Sequence, residues 1–153
     1  MLIWTLLLLG ASTGYGQALG TWKMIPEKSS YNIGPFPKAL TAKFEAHRSG
    51  EVLTLYHVRA DGTSQTISET LYFDGKDHAT GEPAGSERET VAFRKLNAGT
   101  AEIVHKKGGN VTTRFLRAIS PDGKQMTLEI VRIRDRSPNL ERRLVLEREP
   151  EKR

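Results

Sequence analysis

Apolar and polar side chains alternate along most of this chain in short runs. Leu40, Ala42, Phe44 and Ala46 interleave with Thr41, Lys43, Glu45 and His47, and Met126, Leu128 and Ile130 with Gln125, Thr127 and Glu129. A period of two puts each set on its own face of a strand, one dry and one wet, as half-buried antiparallel sheets require. Turn signals separate the runs at nearly even spacing: Ser49-Gly50, Asp61-Gly62, Asp74-Gly75, Ala84-Gly85, Asn97-Ala98-Gly99, Gly108-Gly109-Asn110, Asp122-Gly123 and Ser137-Pro138-Asn139. The pattern predicts strands near 39–47, 51–59, 64–74, 88–96, 100–107, 110–119, 124–134 and 140–148, after a short entry strand over 19–24. Consecutive hairpins favour an all-β, antiparallel up-and-down β-barrel of about 8 to 10 strands, which removes its edges by curling shut.

Pro26, Gly34, Pro35 and Pro37 crowd the stretch before the first long strand. Proline removes ladder donors and restricts its predecessor, so 27–38 is expected as an irregular connection, with at most one helical turn, at Pro26 to Ser30. No segment carries a sustained 3.6-residue apolar repeat.

The apolar run Leu2 to Leu9, then Gly10 to Gly14 and the small residues of Gly16-Gln17-Ala18, reads as a signal peptide over 1–18, although no Lys or Arg precedes the run. The run is too short to span a bilayer. The expectation is a secreted or periplasmic protein, with no membrane span after signal removal and one domain over 19–153. The chain contains no cysteine, which excludes a disulfide-stapled scaffold; a barrel of this length can be held by its own core. A net charge of +5 arises from interspersed signs, as in Glu147-Arg148-Glu149, and the basic spots at Lys106-Lys107 and Arg132 to Arg136 lack interleaved aromatics. Nucleic acid is therefore not an expected partner, and a monomer is expected.

Chemistry would show on the dry faces, which are not wholly apolar. Their registers carry His57 and Arg59 with Leu53 and Leu55, Glu69 with Ile67 and Leu71, and His105 with Ile103. They also carry Arg117 with Phe115 and Ile119, Arg132 with Ile130, and Arg142 with Leu140 and Leu144. An inward charge must be paired or wetted. Arg59, Arg132 and Arg142 sit near strand ends, from where they can reach water; Arg117 and Glu69, flanked by apolar neighbours, are expected to pair with each other. Several arginines in one cavity would suit a carboxylate or phosphate headgroup. The four histidines are scattered and no H-x-H or H-E-x-x-H spacing occurs, so no metal site is expected, although His57 and His105 could meet across a lumen. No G-x-S-x-G, phosphate-cradling loop or cysteine nucleophile points to catalysis, no catalytic residue is assigned, and no cofactor is expected.

The run Gly20-Thr21-Trp22 resembles the Gly-x-Trp opening of the lipocalin and calycin superfamily. That resemblance implies that Trp22 plugs the base of the barrel and that a basic residue of the last strand, Arg148 or Arg143, lies over it. Gly20 to Lys23, Pro26-Glu27-Lys28-Ser29, Gly34-Pro35, Pro37-Lys38, Phe73 to Asp77 and Thr80-Gly81 are together similar to small exported bacterial proteins described as lipocalin-like. The chain departs from the superfamily in lacking a Thr-Asp-Tyr-type motif, a C-terminal helix, a disulfide, and the helical lid and Arg-x-Tyr clamp of fatty-acid-binding proteins, so ligand residues do not carry over.

The reading is a lipocalin-like barrel binding a small apolar or amphipathic, anionic molecule. The expected site is Phe44, Leu55, His57, Phe73, Phe93, His105, Phe115, Arg117, Leu128 and Arg132, with Leu53, Leu71, Ile103, Met126 and Leu146 completing the wall, Arg117 or Arg132 taking an acidic headgroup, and Trp22 with Arg148 as plug. The alternative is a filled barrel serving as an interaction module of the cell envelope, with no small ligand.

Overall fold

A computed structural model describes residues 16–80 and 88–152. Its strands are β1 (Gly20–Met24), β2 (Ser30–Tyr31), β3 (Ala39–His47), β4 (Gly50–Val58), β5 (Ser64–Tyr72), β6 (His78–Ala79), β7 (Glu89–Asn97), β8 (Thr100–Lys107), β9 (Asn110–Ile119), β10 (Gln125–Arg134) and β11 (Ser137–Arg148). Among the described residues the only helical segments are short 3-10 turns at Gly16–Ala18 and Pro26–Lys28. Residues 1–15 of the leader expected over 1–18, and the turn at Ala84-Gly85, lie outside the described residues.

All strands belong to one antiparallel sheet in the order β5-β4-β3-β1-β11-β10-β9-β8-β7-β6, with β2 added on β11. Two meanders, β3 to β5 and β7 to β11, are joined by β1, which pairs with β3 on one side and β11 on the other. The first strand thus closes the sheet into an up-and-down barrel. Closure is incomplete at one seam, where β5 lies beside β7 without a ladder among the described residues. The nine longer strands follow the alternation of the sequence; the two-residue strands β2 and β6 carry no alternation and escaped it.

Registers stack the inward residues in layers. From one end to the other, Thr113 lies opposite His105 and Arg132, Phe115 opposite Ile103 and Ile130, Arg117 opposite Ala101 and Leu128, and Ile119 opposite Met126. The Met126 end is the floor and the Arg132 end the mouth. Two apolar clusters fill the interior, one around Trp22, Ala42, Phe44, Met126 and Leu146, the other around Leu71, Phe93 and Ile103.

Two expectations about the last hairpin need correction. The turn falls at Asp135-Arg136, both left-handed (φ 49° and 63°), and not at Ser137-Pro138-Asn139, which is already strand. A two-residue loop with positive φ twice matches the twist of the strands it joins, and here the chain adopts it without glycine. Further on, Leu140 does not share a face with Arg142 and Leu144. The ladder shifts between Ile130 and Val131, pairing Ile130 with Arg142 but Val131 with Leu140, and the extra residue Glu141 is buried while Leu140 is 44% exposed. Such a bulge re-aims side chains and breaks the period-two register.

The connection over 25–38 is irregular as expected, apart from the turn at Pro26–Lys28 and β2. Ser29 ties it to the last strand by accepting from the Val145 amide at 3.0 Å.

Candidate functional site

The floor is built around Trp22, which is fully buried. Its indole N–H donates to the Ala18 carbonyl at 2.7 Å. The Arg148 guanidinium, brought alongside by the Trp22–Arg148 register, lies 4.2 Å from the ring centroid and donates to the carbonyls of Gly123 (2.8 Å), Leu19 and Gln17. Stacking a cation on indole while its N–H groups meet carbonyls satisfies both without water. Gly20 has φ 119°, and a Cβ there would come within 3.0 Å of the guanidinium, which gives the Gly-x-Trp spacing a steric reason. Arg143 instead lies on the outer face, 3.5 Å from Glu129. The turn Gly16–Ala18 belongs to this floor, and Ala18 is fully buried. A boundary after Ala18, as the sequence suggests for a leader, would remove this turn.

Halfway up, Arg117 is 3% exposed and ion-paired with Glu51, which is 0% exposed. The guanidinium lies 5.0 Å from the ring centroids of both Phe44 and Phe93. The pairing expected between Arg117 and Glu69 is therefore not formed; Glu69 reaches His105 at 3.3 Å. Glu51 continues the Leu53, Leu55 register backwards, and Gly50 beside it lies so close to β5 that a Cβ would sit 1.9 Å from the Leu71 carbonyl oxygen. That close approach draws Glu51 and Leu71 together at the wall. One Glu51 carboxylate oxygen, Oε2, has no partner, and burial raises the carboxyl pKa above its ordinary value although Arg117 opposes the shift.

Toward the mouth the interior opens, and its charge is mixed, with Arg59, Arg142 and Asp61 on one side and Glu69 and Glu89 at the seam. One cavity of about 340 Å³ is lined by Pro35, Pro37, His57, Arg59, Ala60, Asp61 and Arg142. Arg142 stacks on Tyr31 at 4.9 Å, and its Nε is buried without a partner. Arg59 is held by Gln65 at 2.8 Å, and Asp61 is engaged by the Thr63 amide and hydroxyl at 2.9 and 2.7 Å. Burial first, then Arg142 and Arg59, lowers the His57 pKa, which keeps the ring neutral near neutral pH. At the seam a cavity of about 520 Å³ is bordered by Ile67, Glu69, Thr80, Val91 and His105, and next to it one of about 310 Å³ by His105, Lys107, Phe115 and Arg132.

Of the expected site residues, Phe44, Phe93 and Leu128 are buried in the core, and Leu55, Phe73 and Phe115 pack on its edge. Phe73 meets Phe93 at 5.2 Å, and Phe115 meets His105 at 5.3 Å. His57 and His105 border different cavities and are not brought together in one. The two arginines expected to take a headgroup are each answered from within, Arg117 by Glu51 and Arg132 by the bulged Glu141, both of whose oxygens lie 3.1 Å from its Nε. Arg142 is the cation left with an open donor. Its place beside Leu144 in the register was visible; the Pro-rich cover and Tyr31 that make a pocket of it were not.

The described residues contain no group of His, Asp or Glu that could hold a metal ion, and no helix long and apolar enough to cross a membrane. No protein-family model matches the chain, and no curated protein matches it in sequence. Solved structures do match. The likeness is one of fold. A Schistosoma mansoni fatty acid binding protein in complex with arachidonic acid is similar at a TM-score of 0.56 and 12% identity, over 90% of this chain and 99% of that one. Echinococcus granulosus fatty-acid-binding protein 1 gives 0.52 and 14%, over 86% and 97%. Zebrafish ileal bile acid-binding protein complexed with cholic acid gives 0.51 and 10%, over 86% and 98%. The chain shares their antiparallel β-barrel fold.

Proposed function

We propose that this barrel binds a small amphipathic anion, with the headgroup at the mouth against Arg142 and Arg59 and the apolar part on the interior. One observation carries the reading: a cavity walled by two arginines and a histidine, whose one carboxylate, Asp61, is already engaged by Thr63, and whose Arg142 meets the Tyr31 ring but has no carboxylate partner among the described residues. An incoming carboxylate, sulfate or phosphate would give these guanidinium groups a charge-assisted acceptor. The fold agrees, since the similar structures include barrels complexed with arachidonic acid and cholic acid. Export completes the proposal, on the strength of the apolar leader and its small-residue tail. The test is calorimetric titration of the processed protein with octanoate and cholate: saturable binding supports the carrier, and an inert protein that recovers one stable protein partner from the envelope supports the alternative of an interaction module. That alternative draws on the lower barrel, where side chains fill the interior.

A further inference from the structure

We infer that the Arg117–Glu51 pair sets the depth and the direction of the site: the ligand enters tail first, stops on this pair, and is therefore short or compact. The inference rests on the ligand-binding reading above and deepens it.

The pair joins β9 to β4 across the lumen, and the rings of β3 and β7 cover the guanidinium at 5.0 Å on either side, so side chains of four strands meet there. Beneath it Trp22, Met126 and Leu146 are fully buried, and the space beside Arg117 at the floor end is about 10 Å³, no more than one water could use. The cavities of about 340 and 310 Å³ are bordered by residues of the layers above, and the one of about 520 Å³ lies at the seam between β5 and β7. From Thr113, at the mouth, to Arg117 is four residues of strand, about 13 Å at ~3.3 Å per residue. A long extended acyl chain does not fit in that depth unless it displaces Arg117, which would strand a fully desolvated Glu51 carboxylate. Direction follows from the same pair. Arg117 already has its anion, and the unpartnered Oε2 of Glu51 repels a second carboxylate, so a headgroup gains nothing by descending. Arg142, which has no carboxylate partner among the described residues, is at the mouth.

The experiment is calorimetric titration of the processed full chain with octanoate and with palmitate, repeated on Arg117→Ala/Glu51→Ala, which removes both charges and the obstruction together. Wild type is expected to bind octanoate at least tenfold more tightly than palmitate, and the double variant to gain at least tenfold for palmitate while octanoate changes less than threefold. Should the double variant not fold, the shape-keeping Arg117→Met/Glu51→Gln takes its place. With their charges gone those side chains can yield, so the expected palmitate gain is about threefold; an unchanged ratio in whichever variant folds contradicts the inference. If wild type binds palmitate as tightly as octanoate, the depth stop is wrong and the carrier reading stands. If neither binds, nor cholate, the carrier reading itself fails and takes the depth stop with it.

Discussion

The two ends of this barrel solve the problem of inward charge differently. At the floor and waist each arginine has its complement: Arg148 has indole and three carbonyls, Arg117 has Glu51 and two rings. At the mouth Arg142 has one ring and an open donor, with Arg59 and a neutral His57 beside it. The floor spends its charges on holding the fold, whereas the mouth keeps one unspent. Stability should therefore respond to changes below Arg117, and binding to changes above it.

Trp22→Ala should show the largest effect, a loss of about 3–5 kcal/mol in denaturant unfolding, since it empties the floor and strips Arg148 of its platform. Next comes Arg117→Met, which leaves Glu51 buried and alone and should cost roughly 3–5 kcal/mol; adding Glu51→Gln should return much of that in a double-mutant cycle. Additive losses would mean the pair is not coupled.

The start of the folded unit gives a third contrast. A chain beginning at Leu19 lacks the carbonyls of Gln17 and Ala18 that Arg148 and Trp22 use, and should be about 1–3 kcal/mol less stable than one beginning at Gln17. For an exported protein, intact mass of the processed form should accordingly place cleavage before Gln17; Gly14-Tyr15-Gly16 offers the same small-residue spacing as Gly16-Gln17-Ala18. At the mouth, Arg142→Ala should leave stability within about 1 kcal/mol and weaken octanoate binding about tenfold, equal to ~1.4 kcal/mol.

The smallest effects are in pH dependence, and they run opposite ways. His57 is held below its ordinary value, so just below pH 6.5 the unfolded chain takes up the proton that the folded chain refuses, and stability falls as pH drops through that window. His57→Gln should flatten that slope in a thermal-unfolding series. Glu51 is raised above 4.5, so the unfolded chain loses its proton first, and stability falls as pH rises from about 4.5 through the raised value. Glu51→Gln should remove that slope.

Much of this was legible in the chain because alternation and turn residues act locally. The nine longer strands, the meander, and the apolar set of Phe44, Phe93, Met126 and Leu128 follow from period-two patterning alone. The Arg148 guanidinium lies over the Trp22 ring. What the sequence withheld depended on register between distant strands. Glu69 and Arg117 both faced inward, yet barrel geometry gave Arg117 to Glu51 and Glu69 to His105. The bulge at Glu141 flipped Leu140 outward and neutralised Arg132, and no local pattern announces a single inserted residue. Glu51 was the recoverable omission, for extending the Leu53, Leu55 face by two residues would have found it.

The division of the molecule is tested most directly by following amide and side-chain resonances of isotopically labelled protein during titration with octanoate. The account predicts saturable shifts at His57, Arg59 and Arg142, with the Trp22 indole N–H and Arg148 unmoved. Shifts centred on Trp22, or none at the mouth while binding is saturable, would contradict it.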